Sequence, residues 1–187
     1  MGKVLIGLTM SLDGYINDPS GSVGLLYPDF AAMQASEPMK EAIQTTGAVV
    51  MGRHAFAMAE DPDSYAGNYE FQVPIFVLSH AVPHKQPKET GSISFTFVTD
   101  GIVSAIRQAK AAAGSKDVYI IGGASAVRQS LAARLVDELY IDVMPVLLCG
   151  GLRLFDEVGT EPIQLERIQV LEQPNGRTIL GFRVLKP

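Results

Sequence analysis

Short, β-branched apolar runs alternate with stretches that carry helix punctuation, and this alternation limits the chain to few architectures. Val4 to Met10 reads as a buried strand, and so do Ala48 to Met51, Pro74 to Leu78, Phe95 to Val98 and Val118 to Ile121. These runs are apolar at successive positions rather than at every second one, which is the pattern of a strand covered on both faces. Between them lie helical stretches: Pro38 to Thr46, with proline in the first turn after Ser36 and Glu37, and about Gly101 to Ala113, with Asp100 as its expected cap and Gly114 as its stop. Ala124 to Ala133 reads as a third helix and Leu139 to Val146 as a sixth strand, with Pro145 implying an edge or a bulge late in it.

The end of the chain follows a different rhythm. Leu165 to Glu172 and Thr178 to Leu185 read as two strands joined by Pro174-Asn175-Gly176-Arg177, and Asn-Gly between such runs signals a hairpin. The order is therefore βαβαβ-like with an antiparallel end, a mixed sheet with helices on its faces. The length of 187 residues suits one domain, spanning 1–187, with a core large enough to need no staples. The region 61–71, rich in Asp, Pro, Gly and Tyr, reads as a surface loop.

Composition excludes several function classes. A formal charge of −5 without a dense Lys/Arg patch argues against nucleic-acid binding. The early apolar run is interrupted by Ser11 and Asp13, which argues against a signal peptide or a membrane span. Three scattered histidines and one cysteine give no metal-ligand spacing, so no metal is expected. Cys149 follows Val146-Leu147-Leu148 and reads as a buried structural thiol in a reducing, cytoplasmic setting.

Chemistry is expected where strands end in glycine or polar residues, because ligands of open α/β sheets collect at the carboxyl ends of strands. In Ile120-Ile121-Gly122-Gly123-Ala124-Ser125-Ala126 a strand runs through two glycines into a helix, offering close backbone approach and free N–H groups to a phosphate. A tight turn without a ligand is the equally weighted alternative. Met51-Gly52-Arg53-His54 places an arginine just past a strand, where it meets either a phosphate or solvent. Leu78-Ser79-His80 is a third such junction, and alone it reads better as a polar strand end. GxGxxG, GxxxxGK[ST] and HExxH are absent, and Gly123-Ala124-Ser125-Ala126-Val127 lacks the last glycine of a nucleophile elbow.

Taken in order, these junctions resemble the dihydrofolate-reductase-like family, in particular the branch containing the reductase domain of the bifunctional riboflavin-biosynthesis deaminase-reductase. Thr9-Met10-Ser11-Leu12-Asp13-Gly14-Tyr15-Ile16 resembles its first-strand signature, and the run Pro145 to Phe155, with Gly150-Gly151, resembles its late proline-glycine segment. The resemblance implies a three-layer fold with a mixed, mostly parallel sheet, NADPH as cofactor, a small-molecule substrate and a homodimer. It places Gly52, Arg53 and His54 at the cofactor pyrophosphate. It puts Leu78, Ser79 and His80 at the adenosine ribose and its 2′-phosphate, and Ile121, Gly122, Gly123, Ala124, Ser125 and Ala126 at the second phosphate turn. The segment from Ser11 to Asn17 would lead into the loop over the nicotinamide. Two positions depart from the family pattern: Ala55 stands where threonine is common, and His80 where arginine is common and holds a phosphate more firmly.

The same resemblance offers Asp29 as the acid facing the substrate, helping protonation as hydride arrives. A helix cap is its equally weighted alternative. Asp13 is the second candidate acid, with a local Asx-type turn as its better reading. Phe30 and Met33 would pave the substrate side, or else belong to the core. The resulting expectation is an NADPH-dependent reductase acting on a pterin-like or ribosylamino-pyrimidine-like heterocycle. The alternative is a nucleotide- or pterin-binding protein that has lost turnover.

Overall fold

A computed structural model describes residues 2–173 and 176–186. Pro174 and Asn175, half of the expected hairpin turn, lie outside the described residues. The strands are β1 Val4–Ser11, β2 Thr46–Gly52, β3 Ile75–Leu78, β4 Phe95–Val98, β5 Asp117–Ile120, β6 Glu138–Met144, β7 Leu165–Glu172 and β8 Thr178–Val184. The helices are α1 Phe30–Gln34, α2 Glu37–Thr45, α3 Arg53–Phe56, α4 Tyr65–Asn68, α5 Ile102–Ala113 and α6 Ala124–Ala132. One sheet holds all eight strands in the order β4-β3-β2-β5-β1-β6-β8-β7. From β4 to β6 the neighbours are parallel, while β8 runs antiparallel to both β6 and β7.

The continuous apolar runs follow from burial on both sides. In β2, Ala48 and Val50 enter the core shared with α5 and α6, whereas Val49 and Met51 enter a second core with Phe56, Tyr65 and Phe71. Strand β6 departs from this rule. Its Leu139 and Ile141 join the first core, while the alternate positions Glu138, Tyr140 and Asp142 carry polar groups to the other face. Beside it, β1 sends Val4 and Ile6 into the same core and turns Gly7, Thr9 and Ser11 the other way. A polar strip thus crosses the sheet over β1 and β6, in register at Thr9 and Asp142.

Four local expectations need correction. Helix α5 is capped by Gly101 at φ 99° with no side-chain hydrogen bond, so Asp100 is not its cap. Strand β6 ends at Met144 and pairs on both sides with β1 and β8, so Pro145 marks the turn after a central strand rather than an edge or bulge. The 61–71 segment is no simple surface loop: Tyr65 and Phe71 are 8% and 3% exposed, and Tyr65 stacks on Phe56 at 5.2 Å. Its turn-forming residues masked two aromatics that seal the second core. Cys149 is exposed with φ 58°, because the chain leaves the sheet after Met144 and turns back toward β1. By contrast α2 starts as expected, with the Ser36 hydroxyl accepting from the Met39 N–H at 3.4 Å and Pro38 in the first turn.

Candidate functional site

The carboxyl ends of β3, β2 and β5 are consecutive along one edge of the sheet, so the three expected phosphate junctions lie side by side. The Gly52 N–H donates to the Gly122 carbonyl at 2.8 Å, joining the β2–α3 turn to the β5–α6 turn. Gly122 has φ 141°, in the region that favours glycine, and a Cβ there would press on the Ala55 methyl at 3.4 Å. Gly123, the residue before α6, is different: nothing lies within 4 Å of where its Cβ would stand. Open space therefore lies against the start of α6, whose first N–H groups have no partner within the helix. Ile121 continues the ladder, its N–H donating to the Val50 carbonyl at 3.1 Å. Ala124 and Ala126 face the core, and Ser125 stays exposed, accepting from Gln129 Nε2 at 2.9 Å.

Arg53 and His54 are both exposed beside these turns, with Arg53 Nη2 and His54 Nε2 at 3.3 Å. At the end of β3, Leu78 closes the strand and His80 is exposed. Ser79 is buried in a local turn, donating to the Ala81 carbonyl at 2.7 Å and accepting from the Ala81 N–H at 3.3 Å.

The next strand end, that of β1, is tied to the segment after β6. Asp13 accepts from Ser11 Oγ at 2.6 Å, from the Leu148 N–H at 3.1 Å and from the Cys149 N–H at 2.8 Å. These donors, the Ser11 hydroxyl foremost, hold the Asp13 carboxyl below the usual aspartate range. Asp13 is therefore a latch between distant segments rather than a purely local Asx turn. The same two segments share the Ile16 N–H to Leu152 carbonyl and Leu154 N–H to Gly14 carbonyl bonds, both 2.9 Å. The Arg153 guanidinium lies 4.7 Å over the Tyr15 ring.

On the polar strip a charged cluster fills the space under α1. Arg177, at the entry to β8 and 3% exposed, reaches across the sheet edge. Its Nη2 donates to Asp29 Oδ1 at 2.6 Å and to the Leu26 carbonyl at 3.0 Å. Its Nη1 donates to Asp142 Oδ2 and lies 3.8 Å from Met33 Sδ. Thr9 Oγ1 donates to the same Asp142 oxygen at 3.4 Å. Burial raises the Asp142 carboxyl above its ordinary value, while Arg177 and Thr9 pull in the other direction. Burial likewise pushes up the Tyr27 phenol, which faces Thr9.

Asp29 occupies the residue before α1 but makes no capping hydrogen bond; its carboxyl serves the ion pair instead. Phe30 is 46% exposed and meets Tyr27 edge to face at 6.2 Å, so it is not core. The structure thus gathers Asp29 and Met33 on Arg177, and leaves Asp13 and Phe30 outside that cluster. Thr9, Tyr27, Asp142 and Arg177 were missed by sequence reasoning. One signal was present: Asp142 is a carboxylate inside an otherwise apolar strand, Leu139-Tyr140-Ile141-Asp142-Val143-Met144. A concavity at the opposite end of the sheet, walled by Lys3, Asp137, Glu138 and Lys186, is occupied by its own ion pairs, Lys3–Glu138 at 2.9 Å and Lys186–Asp137 at 2.6 Å. Among the described residues no group of His, Cys, Asp and Glu is placed to hold a metal ion, and no helix is long and apolar enough to cross a membrane.

Comparison with known proteins agrees with the fold. The family model described as the RibD C-terminal domain matches residues 2–177. The uncharacterized protein YyaP of Bacillus subtilis (strain 168) is 25% identical over 167 residues, covering 83% of this chain and 81% of its own. Two solved structures share the fold. A putative riboflavin biosynthesis protein from Shewanella sp. PV-4 superposes with a TM-score of 0.80 at 23% identity, over 98% of this chain and 99% of its own. The diaminohydroxyphosphoribosylaminopyrimidine deaminase/5-amino-6-(5-phosphoribosylamino)uracil reductase of Thermotoga maritima superposes with a TM-score of 0.68 at 14% identity, over 98% of this chain and 57% of its own.

Proposed function

The chain belongs to the RibD C-terminal domain family, and from that premise we propose that it is a reductase that passes a hydride from NADPH to a small pyrimidine-like or pterin-like heterocycle. The observation that carries this reading is the pairing of the two glycine turns, Gly52 N–H to Gly122 carbonyl, with open space over Gly123 at the start of α6. That open space is the cradle a dinucleotide phosphate needs, and a side chain at Gly123 would fill it. Gly52 and the turn from Ile121 to Ala126 would hold the pyrophosphate, with Ser125 at the mouth. Arg53 and His54 would meet the phosphates from the β2 side, and Leu78, Ser79 and His80 the adenosine ribose and its 2′-phosphate. NADPH, when bound, supplies the hydride.

The substrate would lie past the end of β1, over the polar strip. Met33 would face it from α1, Asp29 just before α1 would hold Arg177 beside it, Phe30 would shield its outer edge, and Asp13 would keep the 11–17 and 146–154 segments together as one wall. A homodimer is part of the proposal. Edge strand β7 leaves Leu165, Ile168 and Val170 exposed and offers an unpaired ladder to a second copy. A reducing, cytoplasmic setting suits the exposed Cys149 thiol.

The test is NADPH oxidation by the purified protein with 5-amino-6-(5-phosphoribosylamino)uracil and, separately, dihydrofolate. Oxidation that depends on either ring supports the reductase. NADPH binding without oxidation with both leaves a non-catalytic nucleotide- or pterin-binding protein.

A further inference from the structure

The cluster on Arg177 contains two acids, and their surroundings divide the work between them. We propose that Asp142 is the acid that faces the substrate and delivers the proton, and that Asp29 acts through Arg177 as a positioning residue. The proposal rests on the reductase reading above.

The two carboxyls differ in what they leave open. Asp142 Oδ2 is engaged by Arg177 Nη1 and Thr9 Oγ1, but Asp142 Oδ1 is buried without a hydrogen-bond partner among the described residues. Arg177 Nε is likewise buried without a partner among the described residues. A cluster with an orphaned acceptor and an orphaned donor is incomplete, and the Asp142 side chain, 15% exposed, is where a ring with polar edges would reach it. Asp29, in contrast, is held against Arg177 Nη2 at 2.6 Å, which aims the guanidinium at Asp142. Position agrees with this division. Asp142 pairs in register with Thr9 on β1, and β1 is the neighbour of β5, which runs into the Gly122-Gly123 turn. A ring above Asp142 therefore lies two strands from the proposed cofactor turn, with β1 between them.

The groups facing Asp142 are Arg177 from the entry to β8, Asp29 before α1, Tyr27 from the segment preceding it, Tyr119 from β5 and Thr9 from β1. Among the described residues Arg177 is the cation these two carboxyls share, so one carboxyl accepts a proton without stranding the guanidinium. Burial, followed by repulsion from Asp29, favours the protonated form of Asp142. In the reaction the hydride of a reduced nicotinamide dinucleotide adds to the carbon of a C=N or C=O bond. The π pair becomes a lone pair on nitrogen or oxygen, and that atom takes the proton from the Asp142 carboxyl. The dinucleotide is left oxidised, the substrate reduced, and the Asp142 carboxylate faces Arg177 until solvent returns a proton.

Two readouts test this. In the first, protein carrying carbon-13 at its aspartate carboxyls is titrated by NMR, alone and then with 5-amino-6-(5-phosphoribosylamino)uracil. One resonance is expected to titrate above the ordinary aspartate range, to vanish in D142N and to be displaced by the uracil. The wild-type titration needs no variant, so misfolding of D142N leaves it intact. In the second, NADPH oxidation with the same uracil is followed across pH. D142N is expected to lower kcat by about 100-fold or more, to leave KM for NADPH unchanged, and to lose the decline in kcat seen as pH rises. D29N is expected to keep that decline at a shifted position. Full kcat and an intact decline in D142N overturn the assignment, as does a resonance that the uracil leaves in place. Absence of oxidation by the wild type overturns the reductase reading and the proton step with it; the NMR displacement then decides the substrate contact alone.

Discussion

Replacing Arg177 with methionine isolates the cost of two buried carboxyls that share one cation. The side-chain exposures are 3% for Arg177, 10% for Asp29 and 15% for Asp142, so solvent screens these pairs poorly. Removing one partner of such a pair, with the other charges left behind, costs about 3–5 kcal/mol. With a urea dependence of about 2 kcal/mol per molar, the unfolding midpoint at neutral pH falls by about 1.5–2.5 M. The penalty also depends on pH, and its sign follows from Asp142. Its folded-state pKa lies above the unfolded value, so the native state binds the extra proton between the two. The stability that Asp142 contributes is therefore fully present below the unfolded value and is lost as pH rises through the raised one. Without Arg177 the folded value rises further, so R177M loses more stability than the wild type on going from about pH 5 to neutral. Urea unfolding followed by circular dichroism at both pH values measures this. A loss under about 1 kcal/mol, the range of exposed ion pairs, or a loss equal at both pH values, would refute the claim that the cluster is buried and short of cations.

Three further outcomes are expected. Gly123→Asp keeps its fold, because φ is −63° and no atom lies near its Cβ position. It raises the Kd for NADPH by at least about tenfold, since it places a carboxylate where a phosphate would sit, and a cofactor-fluorescence titration reads the change. Asp13→Asn weakens the latch, so the Leu148 and Cys149 amides exchange faster by hydrogen–deuterium exchange. In the wild type the Asp13 pKa is lowered, so the stability it lends is present above the ordinary aspartate value and is lost as pH falls through the lowered one. Ile168→Lys with Val170→Lys on the exposed edge strand converts the proposed dimer to monomer in size-exclusion chromatography, with circular dichroism unchanged; a wild type that elutes as a monomer removes the proposal of a dimer.

The fold was legible because most of the sheet is buried on both faces, and burial writes continuous apolar runs. Those runs, with the glycines at the end of β2 and after β5, located the strand ends and so the row of proposed phosphate junctions. Features that depend on the chain meeting itself far along the sequence were not legible. Arg177 is separated from Asp29 by 148 positions, and no local pattern announces that a hairpin arginine will reach under α1. Cys149 misled for a related reason: its apolar neighbours suggested a strand interior, yet two N–H bonds to Asp13, 135 and 136 positions away, pull the segment to the surface. Asp142 was missed although it carried a local signal, since a charge inside a largely apolar strand points to a partner even when the partner cannot be named.

The most direct test of the account is a titration of the wild-type protein with NADPH, followed by cofactor fluorescence, with NADH alongside. The chain has no tryptophan, so the signal comes from the nucleotide alone. Saturable binding that favours NADPH and collapses in the Gly123→Asp variant is the predicted result. Absence of saturable binding for both nucleotides, or binding that Gly123→Asp leaves unchanged, contradicts the assignment of the paired glycine turns as the cofactor site.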